Sequence, residues 1–335
     1  MDYVVLGRTG LKISRLGFGG IPIQRIDAIK SKELMDAVRA AGINYIDTAR
    51  GYTVSEELIG EAIEGHRDEF VLATKSMARD KASMARDIEI SLKNLRTDYI
   101  DLYQIHNCPP SQLEQVCSED GALAALLEAK AAGKIGHIGI TAHSLETFEK
   151  ALEFDWVETV MFPYNIVENQ GEELMAKAKE KNIGFIDMKS IAGGAIEDPE
   201  LALRYICANP NVTVVIPGMY SVEEVQQNTA AALNTAPFAA EEEAAIKKIR
   251  QDLGTNFCRR CGYCAPCTVN INIPNCFVFH GYLSRYGLQD WAIDRYGSMP
   301  ATAGDCIECG LCESRCPYGL PIRSMLKKVA EDFGK

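Results

Sequence analysis

The chain has 335 residues, of which 47% are apolar and 24% charged, and a net charge of −11. That is the composition of a folded, soluble protein of about two domains, and no apolar run approaches the roughly 20 residues of a membrane span. Residues 254–335 carry nine Lys/Arg against seven Asp/Glu, which leaves −13 on the first 253 residues; an acidic body of this kind argues against nucleic acid as a partner. Met1-Asp2-Tyr3-Val4-Val5 has no basic region followed by an apolar stretch, so no signal peptide is expected and cytoplasmic residence is the default.

In chain order, Val4-Val5-Leu6 and Leu11-Lys12-Ile13 flank Gly7-Arg8-Thr9-Gly10 and read as a β-hairpin, placed to plug the bottom of a barrel. Eight short apolar runs follow. They are Leu16–Gly19, Tyr45–Asp47, Phe70–Thr74, Tyr99–Ile105, His137–Ile140, Val160–Phe162, Phe185–Met188 and Thr213–Ile216. Most are followed by a stretch of helical periodicity, such as Lys32–Ala41, Ser55–Gly65, Lys81–Leu95 and Leu123–Gly133. Strand–helix alternation repeated eight times over about 250 residues predicts a (β/α)8 TIM barrel. The rival, an open doubly wound sheet, lacks its Gly-x-Gly-x-x-Gly after the first strand. The pattern ends with a helix near Glu241–Leu253, which sets expected domains of 1–253 and 254–335, the second small and mainly helical.

Cysteine is concentrated in that second segment. Of twelve cysteines, three (Cys108, Cys117, Cys207) precede residue 254 and nine follow it. In a cytoplasmic protein such density means metal or redox chemistry, not disulfides. Cys306, Cys309, Cys312 and Cys316 have gaps of two, two and three residues, with Pro317 next. This is the ferredoxin-type spacing for a [4Fe–4S] cluster, in which the fourth cysteine serves the neighbouring cluster of a pair. Cys258, Cys261, Cys264 and Cys267 have two residues in every gap. A structural zinc is the alternative for this first array, although zinc pairs are normally separated by a longer loop. The exchange expected for two [4Fe–4S] clusters puts Cys258, Cys261, Cys264 and Cys316 on one and Cys306, Cys309, Cys312 and Cys267 on the other. Cys276 reads as a buried small apolar residue and His280 as a packed histidine.

Active sites of (β/α)8 barrels lie at the C-terminal ends of the strands. Asp47 ends the second expected strand, Lys75 the third and His106 the fourth, with Tyr52 on the loop after Asp47. At Leu6–Leu11, Leu16–Gly20, Asp47-Thr48-Ala49-Arg50-Gly51-Tyr52, Ala73-Thr74-Lys75 and Asp101–His106 the chain resembles the aldo/keto reductase family over about residues 3–230. With the cysteine-rich tail, it resembles the iron–sulfur branch of that family.

The resemblance implies a catalytic tetrad of Asp47, Tyr52, Lys75 and His106, and reduction of a small aldehyde or ketone (or oxidation of the alcohol) with NADPH or NADH. Tyr52 would be the acid, Lys75 and Asp47 would tune it, and His106 would orient the substrate oxygen. It also implies cofactor contacts at Gly20, Asp47, Thr141, Met188, the loop Ala192-Gly193-Gly194, Gly218, Glu224, Gln227 and Asn228. Met188 stands where the family often stacks a tyrosine, Thr141-Ala142 where it has Ser-Asn, and Met161 where it has Gln. Glu224 stands where a basic residue often meets the 2′-phosphate, which favours use of NADH at least comparably with NADPH. The rival function is an electron-transfer or redox-sensing protein whose barrel binds nucleotide without turnover. Expected partners are the small substrate and a redox partner protein, with neither nucleic acid nor membrane.

Overall fold

The computed structural model describes every residue except Thr255, Asn256, Cys261, Tyr286, Pro317 and Lys335. The chain divides into two compact units: 1–165, 169–190 and 198–236 form the first, and 166–168, 191–197 and 237–335 the second. The expected boundary after Leu253 falls in the last turn of the helix Ala240–Gly254, which groups with the second unit.

The first unit opens with an antiparallel hairpin, β1 (Tyr3–Val5) and β2 (Lys12–Ser14), joined through a tight turn at Gly7–Thr9. Eight parallel strands follow at the eight apolar runs: β3 (Phe18–Gly19), β4 (Tyr45–Asp47), β5 (Val71–Ser76), β6 (Ile100–Ile105), β7 (Ile135–Thr141), β8 (Thr159–Pro163), β9 (Gly184–Met188) and β10 (Val214–Val215). Each pairs with the next in chain order. Parallel bridges Leu16–Val215 and Gly19–Gly218 join the first strand to the last, so the sheet closes into a barrel. The strands are buried on both faces, as parallel strands under a ring of helices must be. Inside the barrel, Tyr45, Ala73, Leu102, Met161, Ile186 and Val214 pack with Leu6 and Ile13 of the hairpin, which is the expected plug. Outside it, side chains such as Leu34, Ile59, Ile88, Leu126, Phe148 and Leu203 fill the layer between strands and helices.

Capping fixes where several helices begin. Asp27, Asp80 and Asp198 accept from the backbone N–H groups of Lys30, Ser83 and Leu201, and Ser221 from that of Glu224. Each satisfies an otherwise orphaned first-turn donor. The helix Ser55–Ala62 approaches the neighbouring chain so closely that a Cβ on Gly60 would lie 2.4 Å from the Asn94 carbonyl oxygen.

The described part of the second unit contains helices and no strands. Its helices Ala240–Gly254, Ile273–Ser284, Gln289–Gly297 and Ile322–Phe333 carry a core of its own around Ile273, Cys276, Tyr296, Leu320, Leu326 and Val329. Among the described residues no helix is long and apolar enough to cross a membrane.

Gly60→Ala should destabilise the first unit by about 1–3 kcal/mol, the usual cost of overpacking a rigid contact. Chemical denaturation followed by circular dichroism measures it; an unchanged midpoint would show that the helix can shift without loss.

Candidate active site and cysteine-lined cavities

The ends of three neighbouring strands bring the four strand-end residues together. Asp47 ends β4, Lys75 lies next to last in β5, and His106 follows β6. Lys75 and Asp47 are only 1% and 2% exposed. The Lys75 ammonium donates to the Asp47 carboxylate and, at 2.8 Å, to the Thr48 carbonyl. The side-chain amide of Gln104 donates to the other Asp47 oxygen at 3.3 Å. The Tyr52 ring lies over this pair, its centroid 5.1 Å from Lys75 Nζ. His106 meets the same ring edge-on at 6.0 Å between centroids.

Burial works against both charges of the pair. It holds the Lys75 ammonium below the ordinary lysine value, a shift the Asp47 and Glu56 carboxylates oppose. It raises the Asp47 carboxyl, a shift the Lys75 contact opposes. His106 is pushed well below its ordinary value, first by burial and then by the nearby cations of Lys75, Arg79 and Lys189. Its imidazole is therefore neutral near pH 7. Nδ1 of that ring is buried without a hydrogen-bond partner among the described residues, so the ring keeps polar capacity for a ligand.

In the second unit, two cysteine-lined cavities occur. One, of about 350 Å³ including open solvent, is lined by Cys267, Cys306, Cys309 and Cys312. The other, of about 310 Å³ including open solvent, is lined by Cys258, Cys264 and Cys316. Cys261 and Pro317 lie outside the described residues. The described cysteines thus group around the cavities as in the two exchanged sets expected from their spacing. Among the described residues no three His, Cys, Asp or Glu side chains converge on a single-ion site. Cys276 is fully buried and its thiol is pushed up to about 12, mainly by burial, as befits a small core residue. His280 pairs with the Asp332 carboxylate at 2.6 Å.

Comparison with known proteins agrees with both halves. Residues 15–200, more than half of the chain, match the model of the aldo/keto reductase family. The chain belongs to the aldo/keto reductase family. Residues 257–321 match the 4Fe-4S dicluster domain, which makes it a reductase-type barrel with a C-terminal dicluster domain. L-galactose dehydrogenase of Arabidopsis thaliana is 28% identical over 290 residues, 71% of this chain and 90% of that protein. Methylglyoxal reductase DkgB of Escherichia coli O157:H7 is 31% identical over 201 residues, 55% of this chain and 71% of that protein. Among solved structures, aldo-keto reductase AKR11C1 from Bacillus halodurans superposes with a TM-score of 0.66 at 28% identity, covering 74% of this chain and 96% of that one.

Other positions singled out in this aldo/keto reductase fall into three groups. Two of them make close internal contacts. Gly20 is buried; a Cβ there would lie 2.9 Å from the Asp47 carbonyl oxygen and 3.1 Å from Ser55 Oγ, so close internal packing requires the glycine. The Thr141 hydroxyl, 1% exposed, accepts the Asn107 N–H at 2.7 Å and braces the bend after His106. A second group lies near the last strand. A Cβ on Gly218 would meet Pro22 at 2.6 Å. On the helix Val222–Leu233, Gln227 is exposed, Asn228 is buried, and the Glu224 carboxylate accepts the Tyr220 N–H at 2.7 Å. The third group follows β9. Met188 is partly exposed at its end. Ala192, Gly193 and Gly194, with φ of 50°, 67° and 80°, belong to the second unit. Such a run of left-handed small residues is a turn whose backbone can approach a phosphate.

Two supporting residues had no sequence signal. Arg79 donates through Nη2 to the carbonyls of His106 (2.8 Å) and Asn107 (3.0 Å) and through Nε to Gln112 (2.6 Å). Glu56, buried in the first turn of its helix, accepts from Arg50 (2.6 Å), Thr74 (2.7 Å) and Ser91 (2.8 Å). It ties the Tyr52 loop to the strand that carries Lys75.

Nitrogen-15 NMR of the histidines should find His106 titrating well below about 6.5, the ordinary value. Arg79→Gln should raise that midpoint. The unfolded chain takes up this proton near the ordinary value and the folded chain does not, so stability should fall as pH drops through about 6.5. A wild-type midpoint at or above the ordinary value would overturn the assignment of a neutral ring.

Proposed function

We propose that this aldo/keto reductase interconverts a small aldehyde or ketone and its alcohol with a nicotinamide dinucleotide, and that its dicluster domain carries two [4Fe–4S] clusters. The observation that carries the reading is the convergence of Tyr52, Lys75, Asp47 and His106 around a buried ion pair. Two relatives support the substrate class, being named for L-galactose dehydrogenation and methylglyoxal reduction.

The chemistry assigned to the chain's own residues is proton handling. Tyr52 gives the proton to the carbonyl oxygen in the reductive direction and takes it back in the oxidative one. The Lys75 ammonium beneath its ring favours the phenolate left behind, and Asp47 fixes the ammonium in place. Neutral His106 supplies a hydrogen bond to the same oxygen and sets its direction. The nicotinamide, when bound, supplies or accepts the hydride at the carbonyl carbon. The left-handed turn Ala192-Gly193-Gly194 would receive its pyrophosphate.

Cys258, Cys261, Cys264 and Cys316 would hold one cluster and Cys267, Cys306, Cys309 and Cys312 the other, as the two cavities suggest. The clusters lie off the hydride path. A nicotinamide gives two electrons as one hydride and a cluster takes one at a time, while the tetrad reduces a carbonyl without either cluster. Cys309 is exposed, which suits one-electron exchange with a redox partner protein at that end of the unit.

Tyr52→Phe should lower kcat for carbonyl reduction by roughly 10²–10⁴ while nucleotide binding persists. Near-normal turnover would remove Tyr52 from the acid role. Anaerobically purified protein should contain about eight iron and eight sulfide per chain; one zinc with about four iron would reduce the clusters to one.

A further inference from the structure

The Thr268 hydroxyl lies 3.4 Å from Cys309 Sγ, although the two residues are 41 positions apart in the chain. Thr268 directly follows Cys267, so it carries a hydroxyl from the first cysteine array into the cavity that Cys267 shares with Cys306, Cys309 and Cys312. Its place is fixed by its neighbours. The Asn270 N–H closes a turn on the Cys267 carbonyl at 3.0 Å, and Arg315 donates to the Pro266 carbonyl at 2.9 Å. Val269 packs against the core of the second unit.

The direction of this hydrogen bond follows from the ligand role expected of Cys309. A cysteine binds metal as its thiolate, which has no proton to give. The hydroxyl is then the donor, and a bond to an anionic sulfur is charge-assisted. Reduction places more negative charge on a cluster and its sulfurs. A donor aimed at one of those sulfurs therefore stabilises the reduced form more than the oxidised one. Hydrogen bonds to sulfur and solvent exposure are among the factors that set cluster potentials. Both act at Cys309, which is exposed. The other cavity has a backbone donor instead, the Arg260 N–H at 3.4 Å from Cys258 Sγ. Substitution of the Thr268 side chain leaves that contact in place.

We propose that Thr268 is a potential-setting residue: its hydroxyl raises the reduction potential of the cluster held by Cys267, Cys306, Cys309 and Cys312, and of that cluster alone. The proposal rests on the two-cluster reading given above. An external one-electron donor passes its electron to this cluster more readily for it, at the exposed Cys309, with no bond made or broken.

The test is a redox titration of the full chain, purified anaerobically with its clusters, with dithionite as reductant and electron paramagnetic resonance as the readout. Thr268→Val keeps the side-chain shape and removes the donor. It should make one of the two couples harder to reduce by roughly tenfold in its equilibrium, which is about 59 mV for a one-electron step. The other couple and the iron content should stay at their wild-type values. Thr268→Ala should shift the same couple in the same direction, and Thr268→Ser, which keeps the hydroxyl, should restore it. Unmoved couples in both Thr268→Val and Thr268→Ala overturn the proposal and leave the two clusters standing. Equal shifts of both couples overturn it as well, because the effect would then be general to the unit. Loss of iron in both variants makes the hydroxyl a requirement for building the cluster, not for setting its potential, and is equally fatal. Wild type with no reducible cluster overturns the cluster reading and this proposal together.

Discussion

Lys75 and Asp47 meet inside the barrel with almost no exposure to water, and the strand-end face around them is organised around keeping that pair satisfied. Two charges removed from solvent are tolerable only if each is paired and its remaining hydrogen-bonding capacity is filled. β4 and β5 lie side by side with Asp47 opposite Ala73, which brings the lysine two residues further along within reach of the carboxylate. The Thr48 carbonyl and the Gln104 amide supply the remaining contacts. Removing either charge would strand the other at a cost of about 3–5 kcal/mol. The pair therefore constrains the residues around it, and Tyr52 and His106 are arranged over a cation that cannot leave.

The loops that carry those two rings are strained and braced. Thr53, directly after Tyr52, has φ of 38°, and Asn107, directly after His106, has φ of 47°. Both are uncommon for residues with a side chain, the β-branched threonine most of all. Thr53 is tied by its hydroxyl to Gln24, and the segment beyond it is anchored by buried Glu56. Asn107 is held from one side by the Thr141 hydroxyl and from the other by Arg79. Arg79 thus sets the position of His106 and, through its charge, helps keep the ring neutral.

The second unit solves a different problem, that of a small domain with little apolar side-chain volume. Cys264 and Cys312 sit in its core beside Ile273, Leu320 and Leu326, and Ile273 lines both cavities. Residues expected to bind clusters are at the same time core residues, so ligation there would contribute to folding of this unit.

Much of this was legible in the sequence because it is written at short range. Apolar runs of three to seven residues marked all eight barrel strands, since a strand buried on both faces needs no partner to announce itself. Cysteine spacing announced the arrays, and strand-end positions marked Asp47, Lys75 and His106. Long-range contacts were not legible. Glu56 gathers Arg50, Thr74 and Ser91, and Arg79 reaches His106, Asn107 and Gln112, without any periodicity linking them. The close packing of Gly20 against the Asp47 carbonyl and Ser55 likewise had no sign in the sequence. The grouping of 166–168 and 191–197 with the cysteine-bearing unit had no local sign, because each is a loop between barrel elements along the chain. The sequence by itself determined which elements form and which chemistry their ends can carry, because periodicity and ligand spacing act between near neighbours. Only the tertiary structure decided which buried charges meet and which loops the second unit holds, because those choices depend on packing between residues tens of positions apart.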